Sequence, residues 1–250
     1  MREIKAEIAK LTEEAKGYMV EGEGRAVLEH IMAAGYKVEQ SLIADEDWEN
    51  NWKQYFHQFY IDDILVIPSW EDVQPEDSDK MVLHIDPGTA FGTGMHETTQ
   101  LCIRQLRKYI TPETELLDVG TGSGILAIGA AMLGAKDVLA IDIDPTAVKV
   151  AKENVEHNNL QNVIRAVEGN LLESTDGVCE VCVANIIADV ICMFAGPLIP
   201  HIVEGGLFIC SGIIKEREQD VVNALTEANY TILEIRRKGE WVAMLSRRPD

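Results

Sequence analysis

Three glycines and two acids carry the strongest chemical signal in this chain. Asp118 ends the apolar run Leu116–Leu117, and Gly120, Gly122 and Gly124 follow it at alternate positions. Ala127, Ile128, Ala130 and Ala131 then read as a helix. The pattern is a strand, a tight turn and a helix N-terminus. Glycine has no Cβ and tolerates positive φ, so a ligand can approach the backbone of such a turn closely. The free N–H groups of the first helical turn face that ligand. A second apolar run, Val138–Leu139–Ala140–Ile141, ends in Asp142. If the two strands are parallel neighbours, the Asp142 carboxylate lies beside the glycine turn, where an acid accepts the hydroxyls of a ribose. The dinucleotide spacing G-x-G-x-x-G is met by Gly120 and Gly122, but Ile125 stands at its third position and Gly124 comes one residue early. A nicotinamide dehydrogenase is therefore a distant alternative.

A second stretch, Asp86 to Thr99, is built of residues unsuited to a core. It holds Gly88, Gly92 and Gly94, the threonines Thr89, Thr93, Thr98 and Thr99, one Phe91 and one His96. Such a loop wraps a ligand, offering hydroxyls, backbone amides and an aromatic edge. A helix over 97–109 follows. Thr98 and Thr99 lie at its start, where their hydroxyls either face the ligand or cap the helix. For His96, ordinary hydrogen bonding is the plainer reading and catalysis the sharper one.

The pattern Asp118-x-Gly120-x-Gly122-x-Gly124 followed by Asp142 resembles the S-adenosylmethionine site of class I methyltransferases. This cofactor has no pyrophosphate, so the glycines make room for a methionyl moiety and a sugar. The resemblance narrows with Asp86–Thr99, Asp142-Ile143-Asp144-Pro145, Val183-Ala184-Asn185-Ile186-Ile187-Ala188-Asp189, Ser211-Gly212-Ile213 and Gly239-Glu240-Trp241. From about Asp45 onward these strings resemble the bacterial methyltransferases that modify ribosomal protein L11. The resemblance implies S-adenosylmethionine as cofactor and S-adenosylhomocysteine as product. It implies cofactor contacts at Thr99, Gly120, Asp142 and Asn185, with Asn170 where class I enzymes often contact adenine. Gly122, Gly124, Phe91 and Thr93 complete the candidate cofactor set, and no metal is expected. Asn185 is also the catalytic candidate, orienting an acceptor amino group of a lysine or a chain N-terminus. Relatives begin with a complete ferredoxin-like substrate domain. The stretch before Trp48 is too short for one, so either a shortened substrate module or a different one is expected. Thr121 stands where many relatives carry Cys, a small and tolerated change. A methyltransferase of another protein or of a small amine, and a non-catalytic module that only binds the cofactor, remain as alternatives.

Composition bounds the partners. The net charge is −20 over 250 residues, and the sequence pI is about 4.6. Nucleic-acid binding needs a basic footprint, which this chain lacks. A basic protein such as L11 suits the acidic field, although acidity also serves solubility alone. The five cysteines are odd in number and mostly sit in apolar runs, and the charged opening is no secretory signal. A reduced, cytoplasmic compartment is expected. Cys179-x-x-Cys182 lies in a strand-like run, where residues three apart face opposite sides, so no metal or redox pair is expected. The longest uncharged apolar stretch, 190–203, contains Pro197 and Pro200 and is too short for a bilayer. The oligomeric state is left open.

The elements that must position these residues follow from periodicity. Amphipathic helices over 2–16 and 24–34 and a strand over 36–43 suggest a small α+β module. Trp48, Trp52, Tyr55, Phe56 and Phe59 fall at helical spacing, as a packed helix or a wall of the cleft. The expected organisation is a substrate-recognition module with a linker helix over 1–60, then a methyltransferase domain over 61–250. Short strands are expected over 64–67 and 81–85. Beyond the glycine turn, strands are expected over 163–167, 178–184, 207–211, 230–236 and 240–245, and helices over 145–158, 189–203 and 215–228. This is an α/β fold with a doubly wound seven-stranded sheet and one reversed edge strand. Ligands bind beyond the carboxyl ends of such strands, where Gly120, Asp142, Asn170 and Asn185 converge.

Overall fold

A computed structural model describes residues 56–86, 88, 92–175 and 177–249. They fall within one compact unit, Glu49–Asp250. The expected N-terminal helices and strand, and the aromatic helix up to Tyr55, lie outside the described residues. The strands are β1 (Phe59–Ile61), β2 (Ile64–Ile67), β3 (Met81–His84), β4 (Glu115–Val119), β5 (Asp137–Asp142), β6 (Ile164–Glu168), β7 (Cys179–Asn185), β8 (Ile202–Ile214), β9 (Thr231–Lys238) and β10 (Trp241–Arg247). The helices are α1 (Glu97–Tyr109), α2 (Ile125–Met132), α3 (Pro145–His157), α4 (Ala188–Leu198) and α5 (Glu218–Glu227).

Among the described residues, seven strands form one sheet in the order β6-β5-β4-β7-β8-β10-β9. The first five run parallel, and β10 runs antiparallel to both β8 and β9. The reversed strand is thus the penultimate one, not the edge strand that the sequence suggested. β10 is almost wholly buried while β9 alternates and ends in Arg236-Arg237-Lys238, as an exposed edge should.

Both faces of the sheet are covered, so the strands read as apolar runs rather than alternating ones. In β4, Leu116 packs into the core under α1, α2 and α3, while Leu117 and Val119 pack into the core under α4 and α5. One departure concerns the cysteines. Cys179 and Cys182 share the second core, contrary to the expectation of opposite faces. The register of β7 against β8 shifts between Cys179, opposite Ile202, and Val181, opposite Leu207, so strict alternation does not carry across this break. All five cysteines are free.

Other departures are at element ends. Phe56–Gln58 are not helical and Phe59–Ile61 is a strand, so the aromatic spacing does not extend a helix to Phe59. Phe56 instead packs edge-on against Phe59 at 6.2 Å and reaches the first core. The helix expected to Val203 ends at Leu198 and continues as a short 3₁₀ turn, Ile199–His201. Pro200 has no N–H with which to extend the α-helical ladder.

β1, β2 and β3 form a small separate sheet whose residues Ile61, Ile64, Val66 and Leu83 join the first core. Its hairpin turn carries Asp62 and Asp63, which pair with Arg104 and Arg107 of α1. No described helix is long and apolar enough to cross a membrane.

Candidate active site

The glycine turn is tied down on three sides. Gly120 and Thr121 both donate their N–H to the carbonyl of Ile141 at the end of β5, at 2.8 and 3.0 Å. Gly120 has φ +73°, and a Cβ there would collide with the side chain of Ile186 beyond β7. No other residue fits this position without strain. Gly122 donates its N–H to Asp142 Oδ2 at 2.8 Å, and Asp144 donates to Asp142 Oδ1 at 3.0 Å. The half-buried Asp142 is therefore locked beside the turn. Each of its oxygens keeps a further lone pair, enough to accept two vicinal hydroxyls.

Asp118 has a different task. It is fully buried. Its Oδ2 accepts the Thr121 hydroxyl at 2.6 Å and the N–H of Ala127, in the first turn of α2, at 3.2 Å. Its Oδ1 is buried without a hydrogen-bond partner among the described residues. Burial pushes the carboxyl up to about 7; the Thr121 and Ala127 hydrogen bonds oppose this, and the Asp142 charge adds to it. Gly124, the residue before α2, offers no capping side chain, so Asp118 serves that helix end from beneath. Thr121, a tolerated replacement as judged from sequence, supplies the hydroxyl that holds Asp118.

The second stretch folds back onto the turn. Ser123 donates its hydroxyl to the carbonyl of Gly92 at 2.5 Å. Thr93 is half-buried and accepts a long 3.4 Å bond from Met95 N–H; Phe91 lies outside the described residues. The cap of α1 is His96: its Nδ1 accepts the N–H of Thr98 at 3.4 Å and lies 2.8 Å from the Thr98 hydroxyl. A backbone N–H can only donate, so Nδ1 carries the lone pair and the neutral ring keeps its proton on Nε2. The ring packs edge-on against Trp241, with centroids 4.6 Å apart. With capping done by His96, Thr99 is free for another partner. Its buried Oγ1 accepts from Asn185 Nδ2 at 3.3 Å.

Gly120, Gly122, Asp142, Asn185 and Thr99 are thus brought onto the carboxyl rim of β4, β5 and β7, and Gly124 starts α2 behind them. Asn170 stands apart. It follows β6 at the same rim, where Gly169 N–H bonds the Asp142 carbonyl at 2.9 Å, but its exposed side chain donates to Glu173 at 3.2 Å. Sequence reasoning also passed over two apolar side chains. Ile143, directly after Asp142, is 67% exposed, and Ile187, two residues after Asn185, is 64% exposed. Their signal was an isoleucine just beyond a strand end, where the chain leaves the core. The described residues hold no cluster of three or more His, Cys, Asp or Glu fit for a metal.

These features fit S-adenosylmethionine. Asp142 has acceptor lone pairs for two vicinal hydroxyls, the exposed Ile143 follows it directly, and Gly122 offers backbone without a side chain beside them.

Comparisons with known proteins agree. A family model described as ribosomal protein L11 methyltransferase (PrmA) matches residues 4–249. The ribosomal protein L11 methyltransferase of Clostridium botulinum (strain Eklund 17B / Type B) is 47% identical over 211 residues, which cover 84% of this chain and 67% of that one. A crystal structure of a ribosomal protein L11 methylase from Lactobacillus delbrueckii subsp. bulgaricus matches with a TM-score of 0.72 at 35% identity, over 78% of this chain and all of that one. A Pyrococcus furiosus methyltransferase, at 18% identity and a TM-score of 0.53 over 62% of this chain and 87% of that one, shares the fold. The chain belongs to the ribosomal protein L11 methyltransferase family, enzymes that use S-adenosylmethionine.

Proposed function

We propose that the protein transfers methyl groups from S-adenosylmethionine to amino groups, of lysine side chains or the chain N-terminus, of ribosomal protein L11. The carrying observation is the pairing of Asn185 with Thr99 at the rim that also holds Asp142 and the glycine turn. The cofactor, when bound, supplies an activated methyl carbon; the rest is orientation in a site shielded from water. Gly120, Gly122 and Asp142 hold the cofactor, and the hydroxyl of Thr99 lines its pocket. Because Asn185 spends its NH₂ on Thr99, its Oδ1 is left to accept an N–H of the incoming amine. That aims the nitrogen lone pair along the line of displacement. An amide takes up no proton, so the amine must arrive neutral.

The organisation that suits this role is a substrate-recognition module over 1–60 followed by the methyltransferase domain over 61–250, with Phe56 and Phe59 already packed into the core of the second. The acidic chain suits a basic protein partner in the cytoplasm and disfavours direct contact with nucleic acid.

The test is incubation with tritiated cofactor and, in separate reactions, purified L11 or a cell lysate, followed by mass spectrometry, for the wild type and Asn185→Ala. The wild type should label L11 on amino groups. The variant should lose about 100-fold in turnover, as expected when a reacting atom is misplaced, while still binding S-adenosylhomocysteine. Turnover surviving within a few-fold would remove Asn185 from catalysis. Label on another lysate band, with L11 unlabelled, would overturn the choice of substrate.

A further inference from the structure

Two asparagines, Asn154 of α3 and Asn158 directly after it, are used in an unusual way. Asn158 accepts the His84 N–H at 2.9 Å and donates to the His84 carbonyl at 2.7 Å. Four residues earlier, Asn154 accepts the Asp86 N–H at 2.8 Å and donates to the Asp86 carbonyl at 3.0 Å. A side-chain amide carries the same donor and acceptor as a peptide group. Four residues of helix rise about 6 Å, and two residues of strand about 6.6 Å. The pair therefore extends β3 and its exit as a neighbouring strand would, on the edge opposite β2, where Ile85 N–H bonds the Ile67 carbonyl at 3.0 Å.

Asn154 does one thing that Asn158 does not. Its second N–H goes to the carbonyl of Ser123 in the glycine turn, at 2.8 Å. The same Ser123 donates its hydroxyl to the Gly92 carbonyl. The loop that leaves β3 at Asp86 and returns at Gly92 is thus fastened to the glycine turn at both places, once through Asn154 and once through Ser123. Asn154 is 1% exposed, so these bonds meet little competition from water.

We infer that Asn154 is a positioning residue for the cofactor: it sets Asp86, where the chain leaves β3, against the glycine turn, which Ser123 also joins to Gly92, so that the two sides of the pocket are held together before the ligand arrives. The inference rests on the reading that this turn holds S-adenosylmethionine. It adds that a residue which touches no ligand governs affinity for it, by preorganisation.

The test compares Asn154→Ala with Asn158→Ala in the full chain. Both lose a clamp on β3, and only the first loses the link to the turn. Calorimetry should give about a tenfold weaker binding of S-adenosylhomocysteine for Asn154→Ala, and a change within twofold for Asn158→Ala. Melting temperatures taken alongside report the stability lost by each. In steady-state assays the KM for S-adenosylmethionine should rise for Asn154→Ala with kcat little changed. Without any ligand, amide exchange at 92–96 and 120–124 should quicken in Asn154→Ala alone. Equal weakening in both variants, or none in either, overturns the positioning role. A wild type that binds no S-adenosylhomocysteine overturns the reading of the turn itself, and the inference with it.

Discussion

Replacing Asp118 by Asn should make the protein more stable at neutral pH. Asp118 is buried beneath the glycine turn with one oxygen unpartnered, and burial raises its carboxyl from the ordinary 3.8 to about 7. That gap corresponds to about 4 kcal/mol between the two protonation states, at about 1.4 kcal/mol per pH unit. The sign follows from proton counts. Between pH 4 and 7 the folded chain binds the Asp118 proton more tightly than the unfolded chain does. Stability from this group is therefore full below pH 4, falls as the pH rises, and is level again above pH 7. Asn keeps an oxygen for the Thr121 hydroxyl and the Ala127 N–H and never ionises. The unfolding free energy of Asp118→Asn minus that of the wild type should thus grow steadily from pH 4 to 7, approaching about 4 kcal/mol, and stay constant beyond. Urea denaturation followed by circular dichroism from pH 4 to 8.5 measures this difference, in which all other titrating groups cancel. A difference that is flat with pH would refute the reasoning. A difference that shrinks as pH rises would mean that the two hydrogen bonds outweigh burial and hold Asp118 ionised throughout.

Three further outcomes are expected. Gly120→Ala, at φ +73° and against Ile186, should cost about 2 kcal/mol or more and weaken S-adenosylhomocysteine binding, as read by thermal melts with and without ligand; an unchanged melt would show that the turn relaxes freely. Asp142→Asn should weaken the same ligand by about 10- to 100-fold, the range for hydrogen bonds to a charged group, and should also lower the melting temperature, because the amide NH₂ cannot accept the Gly122 or Asp144 N–H that a carboxylate oxygen holds; unchanged affinity by calorimetry would place the sugar elsewhere. Under native conditions a thiol reagent should modify Cys192, which is partly exposed, long before Cys102, Cys179, Cys182 and Cys210, whose thiols burial pushes up; peptide mapping checks the order.

The strand and helix order could be read from sequence because each parallel strand is an apolar run that stops at a polar residue on the rim. Asp142 and Asn185 are both such stops. Placing them on one rim needed the further expectation that their strands run parallel, which the pairing of β4 with β5 and β7 meets. Pairing order is harder, since it is set by which hairpin strand docks on β8. Even so, the composition held the answer. Val242-Ala243-Met244-Leu245 is unbroken by charge, as a central strand must be, whereas β9 mixes Glu234 with Arg236, Arg237 and Lys238. The clamp was hidden for another reason. An asparagine on a helix reads as surface, yet Asn154 falls three residues after Ala151, on the face that Ala147, Val148, Ala151 and Val155 bury. A polar residue on a buried stripe must find partners for its amide, and that requirement was the missed signal. The irregularity that turns Cys179 and Cys182 to one side has no comparable mark, because it arises from register with β8.

Two acids that look alike in the sequence, each closing an apolar strand, are separated by burial into unlike parts. Asp142 has both oxygens held by backbone N–H groups and is only half-buried, so each oxygen keeps a lone pair for a further donor. Asp118 lies one strand over and beneath the turn, where it serves the end of α2 and Thr121 and meets no solvent. Exchanging the two environments would ruin both: a rim acid without Gly122 would keep only the Asp144 N–H, and a buried acid without Thr121 and Ala127 would lose the partners of its Oδ2. The glycines connect the two, because Gly120 and Gly122 let the chain turn over Asp118 closely enough for a main-chain N–H to reach Asp142. Under the proposed function, specificity for the cofactor is a property of the backbone path, with Asp118 below it, Asp142 beside it and Asn154 joining Asp86 to it.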